Sequence, residues 1–155
     1  MENYLKILEE SLIKKVKVLE QIEEVNRAQA ELLSDNTFDM ERFDKCVDEK
    51  DSMISELNQL DEGFESLYNR VREQLIQDKA KYAEQIKSLQ KLIGTITDKS
   101  VSIQAQESRN KAAVERYFTS QRKEIGQGRK SSKAAYSYYQ NKAGVVNSYF
   151  MDTKK

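Results

Sequence analysis

The sequence contains no histidine, no proline and a single cysteine among its 155 residues. Without histidine the chain lacks the commonest general base and the commonest metal ligand, which excludes serine–histidine triads, zinc hydrolases and di-iron bundles with Glu-x-x-His pairs. Cys46 has no second cysteine for a disulfide, and we expect it to be a small residue on or beside an apolar helix stripe rather than a reactive thiol. We therefore expect no metal, no cofactor and no enzymatic activity.

Long apolar runs are also missing, since no stretch of about 18 apolar residues occurs. The first residues, Met-Glu-Asn-Tyr, carry neither the basic segment nor the apolar core of a secretory signal. We expect a soluble, cytoplasmic protein without membrane insertion.

Charged residues make up 34% of the chain and hydrophobic residues 38%. With no proline, this composition is typical of long, solvent-exposed helices rather than of a globular α/β enzyme.

The longest apolar pattern runs through residues 43–75. Its large side chains recur every three or four residues, which is the spacing of one face of an α-helix, and Lys50 is the only break. A stripe this long requires other helices alongside it. Its members are Phe43, Val47, Ile54, Leu57, Leu60, Phe64, Leu67, Val71 and Leu75.

Similar patterns predict three helices, at about residues 2–33, 38–77 and 80–125. The four polar residues at 34–37 form the first connection, with Asn36 or Thr37 as the helix cap. We place a tight turn near Asp78, because a straight helix would leave its stripe without an intramolecular partner. The alternative is one continuous helix in an intermolecular coiled coil. The predicted fold is all-α, an elongated antiparallel three-helix coiled-coil bundle over residues 1–126.

The apolar stripe of the third helix weakens in its second half. Residues 104–111 contain alanine as their only apolar residue type, and we expect this segment to extend beyond the shorter first helix and to be less covered. Gly126 and Gly128 end the helix, since glycine readily adopts the left-handed cap conformation. A phosphate-binding loop is the weaker interpretation of these glycines, because no strand precedes them.

The tail, residues 127–155, is basic and rich in tyrosine. It has six basic residues and one acidic residue, and we predict a short helical or extended segment. The pattern fits stacking on single-stranded nucleic acid, binding of a protein partner, or folding back onto the third helix. Tyrosine suits partner binding because it offers a large apolar surface with a polar tip. The candidate partner-binding residues are Tyr117, Phe118, Tyr136, Tyr138, Tyr139, Tyr149 and Phe150.

Residues 5–75 resemble the FlgN-type flagellar type III export chaperones. The likeness consists of a first helix rich in leucine and glutamate (residues 5–25), the polar break with aspartate at Ser34 and Asp35, and the segment Val-Asp-Glu-Lys-Asp-Ser-Met-Ile-Ser-Glu-Leu at 47–57. That segment is similar to the family's pattern of lysine followed by apolar residues and leucine. The tail carries no family motif that aligns residue by residue.

The resemblance implies a small cytoplasmic helical chaperone. Such a chaperone binds the disordered, helix-forming C-terminal segment of hook-filament junction proteins, prevents their premature assembly and delivers them to the export apparatus, using its own C-terminal region. We accordingly expect a monomer or weak dimer that binds these proteins and no nucleic acid. The alternative is a homo-oligomeric coiled-coil scaffold or adaptor.

Overall fold

The computed structural model describes residues 1–34 and 38–121, and these residues form three α-helices. Helix α1 covers Glu2–Ser34, α2 covers Met40–Gln77 and α3 covers Ala83–Gln121. The described ranges contain no strand. At 1.5 Å per residue the 38 residues of α2 span about 57 Å. The prediction of an all-α, elongated three-helix bundle is confirmed.

Helix α1 packs along α2 in the antiparallel direction. Lys15 of α1 forms an ion pair with Asp61 of α2 at 2.8 Å. Asn26, which follows Lys15 in α1, contacts Lys50, which precedes Asp61 in α2. The short connection between the two helices accounts for this direction.

Helix α1 also packs along α3, and these two helices are parallel. Lys99 Nζ lies 3.2 Å from Glu23 Oε1, and further along both helices Asn26 contacts Gln106 at 3.1 Å. Because α1 contacts both other helices over its length, one face of it meets α2 and an adjacent face meets α3.

No helix in the part of the chain that the structure describes is long and apolar enough to cross a bilayer.

The apolar side chains of the three helices form a main core. Leu8, Leu19, Leu57 and Ile103 within it have no exposed surface. Burial of such side chains stabilises the fold by about 1.5–3 kcal/mol each. The buried members of the main core are Leu5, Leu8, Leu12, Val18, Leu19, Ile22, Leu57, Val71, Leu75, Tyr82, Leu89, Ile96 and Ile103.

Helix α2 begins two residues later than predicted, and its cap is Asp39 rather than Asn36 or Thr37. The Asp39 carboxylate accepts hydrogen bonds from the backbone N–H groups of Glu41 at 3.1 Å and Arg42 at 3.3 Å. A carboxylate in this position accepts hydrogen bonds from N–H groups that have no partner inside the helix. Its negative charge also interacts favourably with the positive end of the helix dipole.

A tight turn over residues 78–82 separates α2 from α3, so the alternative of one continuous helix is wrong. The N–H groups of Lys81 and Tyr82 donate to the Asp78 carbonyl at 3.0 and 3.3 Å. Tyr82 is 3% exposed and packs in the main core, which anchors the turn. The third helix begins at Ala83, three residues later than predicted. Its predicted end at residue 125 lies outside the described residues.

Replacing Gly63 with alanine is expected to raise the free energy of unfolding by about 1 kcal/mol, because glycine inside a helix carries excess unfolded-state entropy. A methyl group fits at this site, since no atom lies within 4 Å of the added carbon. Urea denaturation followed by circular dichroism measures the change. Gly94→Ala, with equal space, should give a similar gain. A loss in both variants would show that these glycines do more than occupy exposed helix positions.

Candidate functional site

One end of the bundle carries a second apolar cluster, which we call the aromatic end. It is formed by the last turns of α1, the first turns of α2 and the last described turns of α3. Phe43 is fully buried in it and Val114 is 2% exposed. Partly buried side chains complete the cluster, namely Leu32, Leu33, Phe38, Val47 and Phe118, with Tyr117 against Phe38.

The aromatic rings at this end are in mutual contact. The ring of Phe38 lies 4.3 Å from that of Tyr117 and 5.5 Å from that of Phe43, measured between centroids and tilted at 40° and 48°. Tyr117 meets Phe118 at 5.9 Å in an edge-on arrangement. Contacts of this kind add about 0.5–1.5 kcal/mol to what burial alone provides. Phe38, two residues before α2 begins, is thereby held against the last described turns of α3.

Two of the seven predicted site residues belong to this end. Tyr117 and Phe118 are both half-buried and hold Phe38 and Phe43 in place, so they contribute to the fold as well as to the surface. The other five lie outside the described residues, namely Tyr136, Tyr138, Tyr139, Tyr149 and Phe150. The sequence does not show that Phe38 and Phe43 lie close to Tyr117, because only the packing of the helices brings the start of α2 to the last described turns of α3.

A buried polar layer lies next to the aromatic end. Lys50 of α2 donates from its ammonium group to Asn26 Oδ1 of α1 at 2.9 Å and to Glu107 Oε1 of α3 at 2.8 Å. Lys50, Asn26 and Glu107 are at most 3% exposed. Three helices therefore meet at one ammonium group inside the bundle.

Amide side chains extend this polar layer. Asn26 Nδ2 donates to Gln106 Oε1 at 3.1 Å, and the Asn110 amide donates to the backbone carbonyl of Asn26 at 3.1 Å. The Gln106 amide in turn donates to the Glu23 carbonyl at 3.3 Å. These bonds tie α1 to α3 at a fixed register, since each donor reaches one acceptor only at this alignment.

Burial dominates the electrostatics of the layer. It lowers the pKa of Lys50 below the usual lysine value, while the neighbouring Glu107 carboxylate opposes the shift. Glu107 Oε2 accepts no hydrogen bond from the described residues. An isolated buried carboxylate is costly, so Glu107 depends on Lys50 for its charge to be tolerated in the bundle.

The polar layer corrects the expectation for residues 104–111. This segment was expected to be less covered, yet Glu107 and Asn110 are each 3% exposed. Its polar character matches the buried polar groups of the other two helices. The sequence signal was the break at Lys50 in the α2 stripe together with Asn26, four residues after Ile22 in the α1 stripe. Aligning the two breaks requires the helix register, which the sequence alone does not provide.

The described residues include no group of three metal-ligating side chains placed to hold an ion. Cys46 is half-buried in α2. Burial is the main cause that raises the pKa of its thiol, and the negative charge of Glu49 adds to the increase. A raised pKa favours the neutral thiol, which is the less reactive form.

Comparison with known proteins gives a match to a protein family over most of the chain. The model of the FlgN family, described as FlgN protein, matches residues 1–143. No curated protein and no solved structure matches the chain. The matched range contains all three helices and continues into the tail.

Proposed function

Because the chain belongs to the FlgN family of flagellar export chaperones, which is not an enzyme family, we propose that it binds hook-filament junction proteins in the cytoplasm. On this proposal it holds the disordered, helix-forming C-terminal segment of such a protein, prevents premature assembly and delivers the protein to the export apparatus. The observation that carries the proposal is the family match over residues 1–143, which includes three of the five tail aromatics.

The position of the aromatic end supports a role for the tail in binding. Tyr117 and Phe118 lie in the last described turns of α3, and the tail begins nine residues after Phe118 in the sequence. An amphipathic cargo helix presents apolar side chains at spacings of three and four residues, and such a helix binds in a groove lined by apolar side chains. Tyrosine residues of the tail would add to that groove with little entropic cost.

The proposed partner sets the expected strength of binding. Ordering a disordered segment on binding costs about 2–5 kcal/mol of the gross interaction energy. Affinity is therefore moderate for the area buried, which is compatible with release at the export apparatus. The basic residues of the tail would favour an acidic face on the cargo helix, and that contribution falls as salt is raised.

Replacing Tyr138 and Tyr139 with alanine is expected to weaken binding of a hook-filament junction protein by about tenfold or more, as loss of aromatic contact residues does. Isothermal titration calorimetry measures the affinity, and the helical melt should stay unchanged. Tyr4 and Tyr68 provide a matched control, because they are 48% and 38% exposed and lie on the bundle rather than on the tail. Their double alanine variant should bind normally.

Two outcomes of this titration would count against the tail as a binding segment. Unchanged affinity in the Tyr138 and Tyr139 variant would remove these residues from the site. A large loss of thermal stability in the same variant would instead support the interpretation in which the tail folds back on α3 and covers its apolar residues.

A homo-oligomeric scaffold or adaptor is the alternative, and exposed apolar side chains favour it. Ile7, Ile76 and Val101 are each more than half exposed, and large apolar side chains of this kind can be covered by another copy of the chain. Sedimentation velocity distinguishes the two functions. The chaperone proposal predicts a monomer or weak dimer, whereas the scaffold predicts oligomers that grow with concentration.

A further inference from the structure

The polar layer divides the interior of the bundle into two apolar parts. On one side lies the main core, with Leu57 and Ile103 fully buried next to the layer. On the other side lies the aromatic end, with Phe43 and Val114. Lys50 follows Phe43 by two helical turns and precedes Leu57 by two, so the layer interrupts the α2 stripe between the two clusters.

The two parts differ in the amount of buried apolar surface. Among residues 1–34 and 38–121, thirteen buried residues belong to the main core, whereas two belong to the aromatic end. Regions with few buried apolar contacts open with a smaller free energy than the whole protein. A buried polar residue at a core position of packed helices fixes their register at a cost in stability. The layer therefore offers less resistance to separation than an apolar layer at the same level.

We propose that the aromatic end opens as a unit of its own, with the polar layer as its boundary, while the main core remains folded. Opening separates the first turns of α2 from the last described turns of α3 and brings Phe43 and its neighbours to the surface. This is a property of the free chain. It does not require the partner proposed above, so the two proposals succeed or fail separately.

Hydrogen exchange of the full chain, followed by mass spectrometry, tests the proposal. Backbone amides of residues 42–48 and 111–118 are expected to exchange at least about tenfold faster than those of residues 12–22 and 89–100. The faster exchange should also depend only weakly on added urea, because local opening exposes little surface. Equal protection with equal dependence on urea in both regions would overturn the proposal.

A variant without the polar layer shows whether the layer is the boundary. Asn26→Leu, Lys50→Met and Glu107→Leu together replace the buried lysine and its two hydrogen-bond partners by apolar residues. Such an exchange is often neutral or stabilising. Exchange at the aromatic end is expected to slow by about tenfold or more towards the rate of the main core. If the difference between the regions stays as it was, the aromatic end merely frays as helix ends do, and the layer has no such role.

A control variant and a single substitution complete the test. Lys15→Met with Asp61→Met removes an ion pair between α1 and α2 that is not part of the polar layer, and it should leave the difference between the two regions intact. Phe43→Ala, which needs no redesign of the layer, should speed exchange at the aromatic end while the main core keeps its protection. Equal acceleration in both regions would mean that they open together, which would overturn the proposal.

Discussion

Replacing Lys50 with methionine is expected to lower the free energy of unfolding by about 3–5 kcal/mol, the range found when one partner of a buried ion pair is removed. The side chains have similar length, so packing is largely preserved. The loss arises because the Glu107 carboxylate and Asn26 Oδ1 remain inside the bundle without the ammonium group that now lies 2.8 and 2.9 Å away. Urea denaturation followed by circular dichroism measures it.

Two further variants isolate the cause of this loss. Lys45→Met removes an exposed lysine of the same helix and should change stability by no more than about 0.5 kcal/mol. Adding Glu107→Leu to Lys50→Met removes the stranded carboxylate, so most of the lost stability should return. A Lys50→Met protein as stable as the unaltered chain would contradict the polar layer as described.

Replacing Leu19 with alanine is expected to cost about 2–5 kcal/mol, because the change removes buried methyl groups and leaves a cavity. Leu19 has no exposed surface and lies in the main core. Thermal unfolding by circular dichroism should show a correspondingly lower midpoint.

Ile7 of the same helix is the matched control for Leu19. It has the same number of side-chain carbon atoms but is 52% exposed, so Ile7→Ala should cost far less than Leu19→Ala. If the two substitutions cost the same, α1 does not present the Leu19 face to the other helices, and the described packing is wrong.

Much of the fold could be predicted from the pattern of apolar residues. The stripe from Phe43 to Leu75 predicted α2, and the repeat from Leu5 onward predicted α1. The need for an intramolecular partner predicted the turn near Asp78. These features depend on neighbours along one helix, which the sequence displays directly. The cap of α2 was misplaced because Asn36, Thr37 and Asp39 all have suitable side chains within one short connection.

The polar layer was beyond such reasoning for a physical reason. Lys50, Asn26 and Glu107 lie on three different helices, and each alone is a common residue of a solvent-exposed face. Whether a lysine is buried depends on the partners that the other helices place beside it. Their alignment is a matter of tertiary register, so the breaks at Lys50 and Asn26 were visible in the sequence while their pairing with each other and with Glu107 was not. The five tail aromatics of the candidate site lie outside the described residues and stay a prediction.

Titration of the full chain with a purified hook-filament junction protein tests the central claim most directly. We predict moderate, saturable binding by calorimetry, lost when the junction protein lacks its disordered C-terminal segment and lost again when the chain is truncated after Ile125. Circular dichroism should confirm that the truncated chain retains its helices. If the full, folded chain does not bind the intact junction protein, the proposed chaperone function is contradicted and the scaffold alternative takes its place.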